Sequence, residues 1–301
     1  MKKVILFLLT TFSISTLQAN VHTEERAQQS ALLKMNLSKG TKYIFTTSTV
    51  QSITQEIMGN KMNIDQQTTV NYLYDVLENN AQGLHIKTTY QSFAIHMQTP
   101  QGSHQFDSEA SENEESPLKS LGNMVGKSFD MYVSPEGEIT KVEGMKEILD
   151  AIGGDAATQQ LLAQQFSDSA FMNMMNVAMN IYPNKEIKKG ESWQKNASTP
   201  IAGIMEMNLQ NNFILSELSN DQSTLTVQSA IALAPLSSGS ALGNIEINLK
   251  GTQSGTILLH TSSGLITSSK MHQEITGDIA AQGMKIPMSI LSDITLTGKA
   301  L

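Results

Sequence analysis

The sequence predicts a mainly β protein, in which a bent antiparallel sheet forms an open or half barrel with a central helical insert on its concave face. Three observations support this class. Apolar and polar residues alternate with a period of two in long segments on both sides of the chain centre, the alternation changes phase inside one segment, and a helical period is confined to about residues 144–182. Period-two alternation gives each strand one buried and one wet face, which is typical of antiparallel sheets.

Composition narrows the class of protein. The chain has 301 residues, a formal net charge of -8, 5% aromatic residues and no Cys. The missing Cys excludes disulfides, thiol catalysis and zinc–thiolate sites, and the acidic balance argues against a nucleic-acid partner. After the N-terminal segments, we expect residues 31–301 to form a single β-rich domain.

The first 19 residues have the pattern of a secretory signal peptide. Lys2 and Lys3 precede the apolar run Val4–Leu9, and Ala19 offers a small residue at the cleavage position. The apolar run is too short for a membrane-spanning helix, and no later run approaches that length. We therefore expect cleavage near Ala19, a flexible lead-in over residues 20–30, and an exported protein, periplasmic or secreted, that does not span the membrane.

The first half of the predicted sheet contains one clear hairpin and one irregular strand. Residues 61–77 alternate strictly, and Gly59–Asn60 is a plausible turn from the preceding strand. In the next strand, Ile86 and Tyr90 share one parity while Phe93 and Ile95 take the other, which predicts a bulge near Gln91. Residues 100–117 carry five acidic residues and no basic one, and we expect a solvated loop there.

The middle of the chain predicts a hairpin and then the helical insert. The turn Ser134–Gly137 lies inside a hairpin over residues 129–142. A first helix is expected over Gly144–Ile152, with Asp155 as the cap of the next helix. The pattern drifts at Ser167–Ser169, so Asp168 is expected to cap a further helix that ends before Pro183. After Trp193 the strands return, for about ten to eleven strands in all.

The sequence contains none of the common catalytic or metal-binding motifs. The sequence has no G-x-S-x-G elbow, no Walker loop and no H-E-x-x-H helix. His272 and Glu274 share a strand face, but the spacing implies no third ligand. We therefore predict no catalytic residue, no metal site and no cofactor, although a site assembled from distant strands would leave no local motif.

Methionine is the unusual apolar residue in this chain, with 17 copies. Met is flexible and polarisable, so it either fills a core or lines a surface that accepts variable apolar shapes. Both interpretations stay open. The candidate residues for contact with an apolar ligand are Met62, Tyr72, Tyr74, Met172, Met175, Met179, Met205, Met207, Phe213, Met271 and Met284.

Four stretches in order resemble a family of uncharacterised exported bacterial proteins, classed as a domain of unknown function. They are residues 37–43, 53–62, 134–144, and Tyr182–Pro183 together with Lys189–Trp193. The resemblance covers most of the mature chain and implies no activity or site residue. In architecture alone, a curved sheet with a helical insert is similar to the half-barrels of periplasmic lipoprotein carriers, and fold does not imply function.

Three functions remain open from the sequence. The leading hypothesis is a non-enzymatic exported protein that binds an apolar small molecule or lipid, such as an acyl chain, between sheet and helices. The alternative is a structural or assembly protein of the cell envelope that acts through a protein partner. A hydrolase without a local motif is the third.

Overall fold

The computed structural model describes residues 30–110, 118–154, 167–201, 205–236, 245–281 and 284–301. The predicted signal peptide, nearly all of the predicted lead-in, the end of the acidic segment and the predicted cap Asp155 lie outside the described residues.

The protein is built around one large antiparallel sheet. Twelve strands in the described residues form it. The strands are β2 (Lys42–Ile57), β3 (Asn60–Asn80), β4 (Gly83–Thr99), β5 (Gly102–Asp107), β6 (Ser128–Val133), β7 (Ile139–Glu143), β9 (Ser192–Ile201), β10 (Met205–Leu218), β11 (Gln222–Pro235), β12 (Ile245–His260), β13 (Ile266–Ala281) and β14 (Met284–Ala300). Their order is β7-β6-β4-β3-β2-β14-β13-β12-β11-β10-β9, with β5 paired to β4. The sheet is not closed, because β7 and β9, at the two ends of this order, do not pair with each other, and the free side of β5 is a further edge.

Smaller elements complete the fold. Strands β1 (Ser30–Leu32) and β8 (Glu186–Lys188) pair as a separate two-stranded sheet. A 3-10 helix covers Lys119–Met124, and the described residues after it contain two α-helices, α1 (Met145–Ile152) and α2 (Asp168–Met179). The segment after β1 buries Leu33, Met35 and Leu37 in alternation, and this covers one end of the curved sheet, here termed the lower end.

Helix α2 spans the gap between the two edges of the sheet. It packs against β7 at one edge and against β9 at the other. An uncovered edge strand exposes unpaired N–H and C=O groups that invite pairing with other chains. The helix therefore lies on the concave face and also covers the opening that keeps the sheet from being a closed barrel, as the predicted fold class requires.

Several local predictions are confirmed. The registers Asn71↔Ser92 and Tyr72↔Tyr90 leave Gln91 without a partner, so a bulge lies where the parity changes. Strands β6 and β7 form the predicted hairpin around Ser134–Gly137. Helix α1 ends at Gly153, whose φ of 71° suits a residue without a Cβ.

Three local predictions were wrong. Residues 102–107, expected within the acidic loop, form strand β5, because Phe106 is buried opposite Ile95. The cap of α2 is Ser167, whose Oγ accepts a hydrogen bond from the N–H of Ala170, and Asp168 is the first helical residue. The strand count of ten to eleven was too low, since short strands such as β1, β5 and β8 do not show a long alternation.

Candidate functional site

A row of polar residues crosses the inner face of the sheet. Residues directly opposite each other in an antiparallel pair point to the same face, and the observed registers join one residue from each of eight neighbouring strands. We call this row the polar belt: Lys195, Asn211, Ser229, Gln253, Gln273, Ser292, Gln51 and Gln66, from β9 to β3.

Side-chain hydrogen bonds link members of the belt in pairs. Ser229 Oγ donates to Asn211 Oδ1 at 2.6 Å, and Gln273 Nε2 donates to Gln253 Oε1 at 2.6 Å. Further along, Gln51 Nε2 donates to the buried Ser292 Oγ at 3.0 Å. Polar groups inside a protein are costly unless they are paired in this way. The hydrogen bonds thus hold these belt side chains in fixed pairs on the inner face.

The belt separates two apolar regions. Below it lies the main core, which holds Tyr74, Trp193 and other aromatic residues and includes the contact with α2. Tyr74 Oη lies 3.7 Å from Met179 Sδ of the helix, and Trp193 Nε1 donates to the carbonyl of Ile181. Burial raises the pKa of Tyr72 to about 12, and it raises the pKa of Tyr74 further. These tyrosines therefore stay neutral over the physiological range.

Above the belt, the part of the inner face on β10–β13 is packed. A second cluster there joins Met205, Leu209, Ile231, Leu233, Ile247, Leu249 and Ile275. Val177 of α2 packs against this cluster, so the helix touches both apolar regions.

Above the belt on β14, β2 and β3, the inner face is apolar but only half-buried, and on β14 Met288 and Ile290 also pack against the second cluster. We call this region the upper apolar surface: Ile53, Ile57, Met62, Ile64, Ile286, Met288 and Ile290. The other inner-face residues of these strand segments are Gln55, Asn60 and Met284, so this part of the inner face carries no charged side chain. Charged residues such as Glu56, Lys61 and Lys285 occupy the outer face of the same strands. This surface is the candidate binding site.

The structure divides the eleven predicted ligand-contact residues among these regions. All eight that lie on strands occupy the inner face. Tyr72, Tyr74, Met172, Met175, Met179, Phe213 and Met271 pack in or against the main core, and Met205 and Met207 belong to the second cluster. Met62 lies in the upper apolar surface, and Met284, 42% exposed, lies at its rim.

Reasoning from the sequence missed the belt and most of the upper apolar surface. The available signal was a set of polar residues at positions with buried parity, such as Gln253 between Gly251 and Gly255. The isoleucines of β2, β3 and β14 belong to the alternating pattern in the sequence, but the predicted ligand-contact residues, chosen around Met, did not include them.

His272 and Glu274, which the sequence places on one strand face, lie on the outer face of β13. His272 Nδ1 lies 2.8 Å from Asp293 Oδ1, and His272 Nε2 lies 3.1 Å from Glu274 Oε1. Hydrogen bonding to Asp293 and then to Glu274 raises the pKa of His272. Over the described part of the chain, no group of three or more His, Asp or Glu side chains is placed to hold a metal ion.

A cleft of about 480 Å³ lies on the outer face, beside the bulge at Gln91. Its wall contains a hydrogen-bonded chain in which Thr46 Oγ1 donates to Asn71 Oδ1 at 2.5 Å and Asn71 Nδ2 donates to Ser92 Oγ at 2.6 Å. Glu109 and Lys299 also line it. The cleft lies on the outer face, whereas the predicted ligand-contact residues on strands all lie on the inner face.

The chain belongs to a family of unknown function, DUF6263, whose model matches residues 81–266. The predicted resemblance to an uncharacterised family is thus confirmed. No curated protein matches the chain. In the described ranges, no helix combines the length and apolarity needed to cross a bilayer.

Among solved structures, the chain is similar to lipovitellin, in a structure described as showing lipid–protein interactions. The identity is 7% and the TM-score 0.51, and the match covers 87% of this chain but only a quarter (25%) of the lipovitellin chain. The likeness therefore concerns the fold alone.

Two further solved structures also match, with low TM-scores. OccK7 (OpdD) of Pseudomonas aeruginosa has 5% identity and a TM-score of 0.22, and the match covers 87% of this chain and 100% of that one. The β domain of the Bordetella autotransporter BrkA has 8% identity and a TM-score of 0.23, with 86% and 99% covered.

Proposed function

We propose that this protein is a non-enzymatic, exported protein that holds an apolar ligand, such as an acyl chain, on the inner face of its sheet. The observation that carries the proposal is the half-buried upper apolar surface. Ile53, Ile64 and Ile290 lie side by side on three neighbouring strands. When a ligand covers apolar surface of this kind, its removal from water contributes about 25 cal/mol per Å² to the free energy of binding.

The binding region proposed here is narrower than a general space between sheet and helices. Where α2 meets the sheet below the belt, the side chains are buried against each other, as Tyr74 and Met179 are. A ligand there would have to displace a packed core, whereas a ligand above the belt would cover surface that is already half-open. The fold that the chain shares with lipovitellin, whose structure is described by its lipid interactions, agrees with this proposal.

The alternative of an envelope assembly protein has less support from the sheet edges. It would use exposed edges for contacts between chains, yet α2 packs against both end strands, β7 and β9. The free side of the short strand β5 is the edge that this alternative would use. Crosslinking in cells would favour the alternative if it recovered one protein at the sheet edges.

Native mass spectrometry of the protein purified from its own host tests the proposal. We expect a population with an extra mass that organic extraction removes, and binding of a hydrophobic dye by the extracted protein. A uniformly ligand-free mass together with no dye binding would overturn the proposal.

A further inference from the structure

The polar belt lies directly below the upper apolar surface. Ile53 is two residues from Gln51 on β2, Ile64 is two residues from Gln66 on β3, and Ile290 is two residues from Ser292 on β14. Residues two apart on a strand share a face. A chain lying on the upper apolar surface with one end pointing down would therefore place that end on the belt.

The belt section under this surface is neutral. Gln51, Gln66 and Ser292, together with the adjacent Gln273 of β13, carry amides and one hydroxyl. Lys195 is the charged member of the belt, and it lies at the far edge on β9. On the other side the row continues from Gln66 through Met97 to His104 of β5, so His104 lies two strands from this section. An ionised ligand group placed on the section would lose its hydration and have no charged side chain directly beside it, which is costly.

The same side chains keep hydrogen-bonding capacity. An amide offers two donor hydrogens and a carbonyl oxygen. Gln51 uses its Nε2 on Ser292, and Gln66 uses its Nε2 on Thr68 at 3.0 Å. Within the described residues, neither amide oxygen has a hydrogen-bond partner. Both side chains are only half-buried, so these oxygens can accept from a ligand.

We infer that the ligand is an amphiphile whose polar end is uncharged and donates a hydrogen bond, such as a hydroxyl, and that Gln51 and Gln66 recognise this end. The inference rests on the proposed function, because it needs the apolar part of the ligand on the upper apolar surface. The surface from Gln51 to Ile57 extends about 20 Å along β2, at about 3.3 Å per residue. An extended chain matches this shape.

Displacement of a hydrophobic dye from the full mature protein tests the inference. Dodecanol, dodecanoate above pH 8 and dodecylammonium share an apolar chain and differ at the polar end. We expect dodecanol to displace the dye at a concentration about tenfold or more below that of either ion. Equal potency of the three would overturn the inference, while the displacement itself would leave the proposed function standing. Failure of the dye to bind at all would overturn the proposed function.

A variant pair locates the recognition. In Gln51→Leu/Gln66→Leu, we expect dye binding to persist and the affinity for dodecanol to fall about tenfold, as two hydrogen bonds are lost. The matched control is Gln67→Leu/Gln210→Leu, the same change on the exposed outer face, which should keep the affinity for dodecanol. If the belt variant kept the full affinity for dodecanol, the assignment to Gln51 and Gln66 would be wrong. The comparison of the three amphiphiles on the unmodified protein does not depend on how well the variant folds.

Discussion

The side-chain amide of Asn176 forms two hydrogen bonds of 2.8 Å with the backbone of Ile139. The amide nitrogen donates to the carbonyl of Ile139, and the N–H of Ile139 donates to Oδ1. Asn176 lies in α2, and Ile139 begins the edge strand β7. The side chain thus does for the edge what a further strand would do, and it anchors the helix that spans the opening of the sheet.

Replacement of Asn176 should loosen this closure. Asn176→Ala leaves a partly buried N–H and C=O of Ile139 unpaired, so we expect the free energy of unfolding to fall by about 1–3 kcal/mol in chemical denaturation. The control is Asn173→Ala in the same helix, which shares the gain in helix propensity and should stay within about 0.5 kcal/mol of the unmodified protein. Equal stability of the two variants would show that the contact with Ile139 contributes nothing.

For the belt pair Gln253–Gln273, removal of one hydrogen-bonding partner should cost more stability than removal of both. Gln273→Leu alone leaves the Gln253 carbonyl without its donor, and we expect a loss of about 1–2 kcal/mol. Gln253→Leu/Gln273→Leu removes both partners, and its stability should return close to that of the unmodified protein. Urea denaturation of four proteins measures this: the unmodified protein, Gln253→Leu, Gln273→Leu and the double variant. Strictly additive losses would contradict the coupling implied by the 2.6 Å hydrogen bond.

Gly277 is required because strand β12 approaches it closely. It has a φ of +148°, and a Cβ there would overlap the carbonyl of Asn248. Gly102 has a similar φ of +144° with open space around it. Both Gly→Ala variants carry the backbone strain, but only Gly277→Ala adds the overlap. We expect Gly277→Ala to lose at least about 2 kcal/mol more than Gly102→Ala, measured by thermal denaturation.

The cluster around His272 should give a small dependence of stability on pH. Its pKa is raised above the ordinary 6.5 by Asp293 and Glu274. The raised value means that the stabilising contribution is fully present below about pH 6.5 and is lost as the pH rises through the folded pKa. NMR titration should show the raised pKa, and Asp293→Asn should lower it. The control Asp278→Asn, which contacts Lys285 instead, should leave it unchanged. If the pKa of His272 were the same in Asp293→Asn as in the unmodified protein, the assignment of its cause to Asp293 would be wrong.

The sequence predicted the features that depend on nearby residues. The bulge at Gln91 could be found because a change of parity within β4 is a local event, and the turn Ser134–Gly137 because Pro and Gly mark it. The belt could not be found in this way. Gln51 and Gln273 each look like a single exception in their own strands, and only the pairing of both with Ser292 places them in one row. The span of α2 from β7 to β9 likewise depends on how far the sheet curves.

The central claim is that the upper apolar surface binds the ligand. Two adjacent residues of β14 allow a matched test, because Ile290 faces inward and is half-buried while Leu291 faces outward and is 46% exposed. Each is replaced by Lys, and the affinity for a hydrophobic dye is measured by fluorescence titration. Ile64→Lys, with Asn63→Lys as its outer-face control, repeats the comparison on β3 in case Ile290→Lys folds poorly. We expect the inward Lys variants to lose affinity about tenfold or more, since a charge would be buried against the ligand, and the outward ones to bind as before. Unchanged affinity in folded Ile290→Lys and Ile64→Lys would contradict the claim.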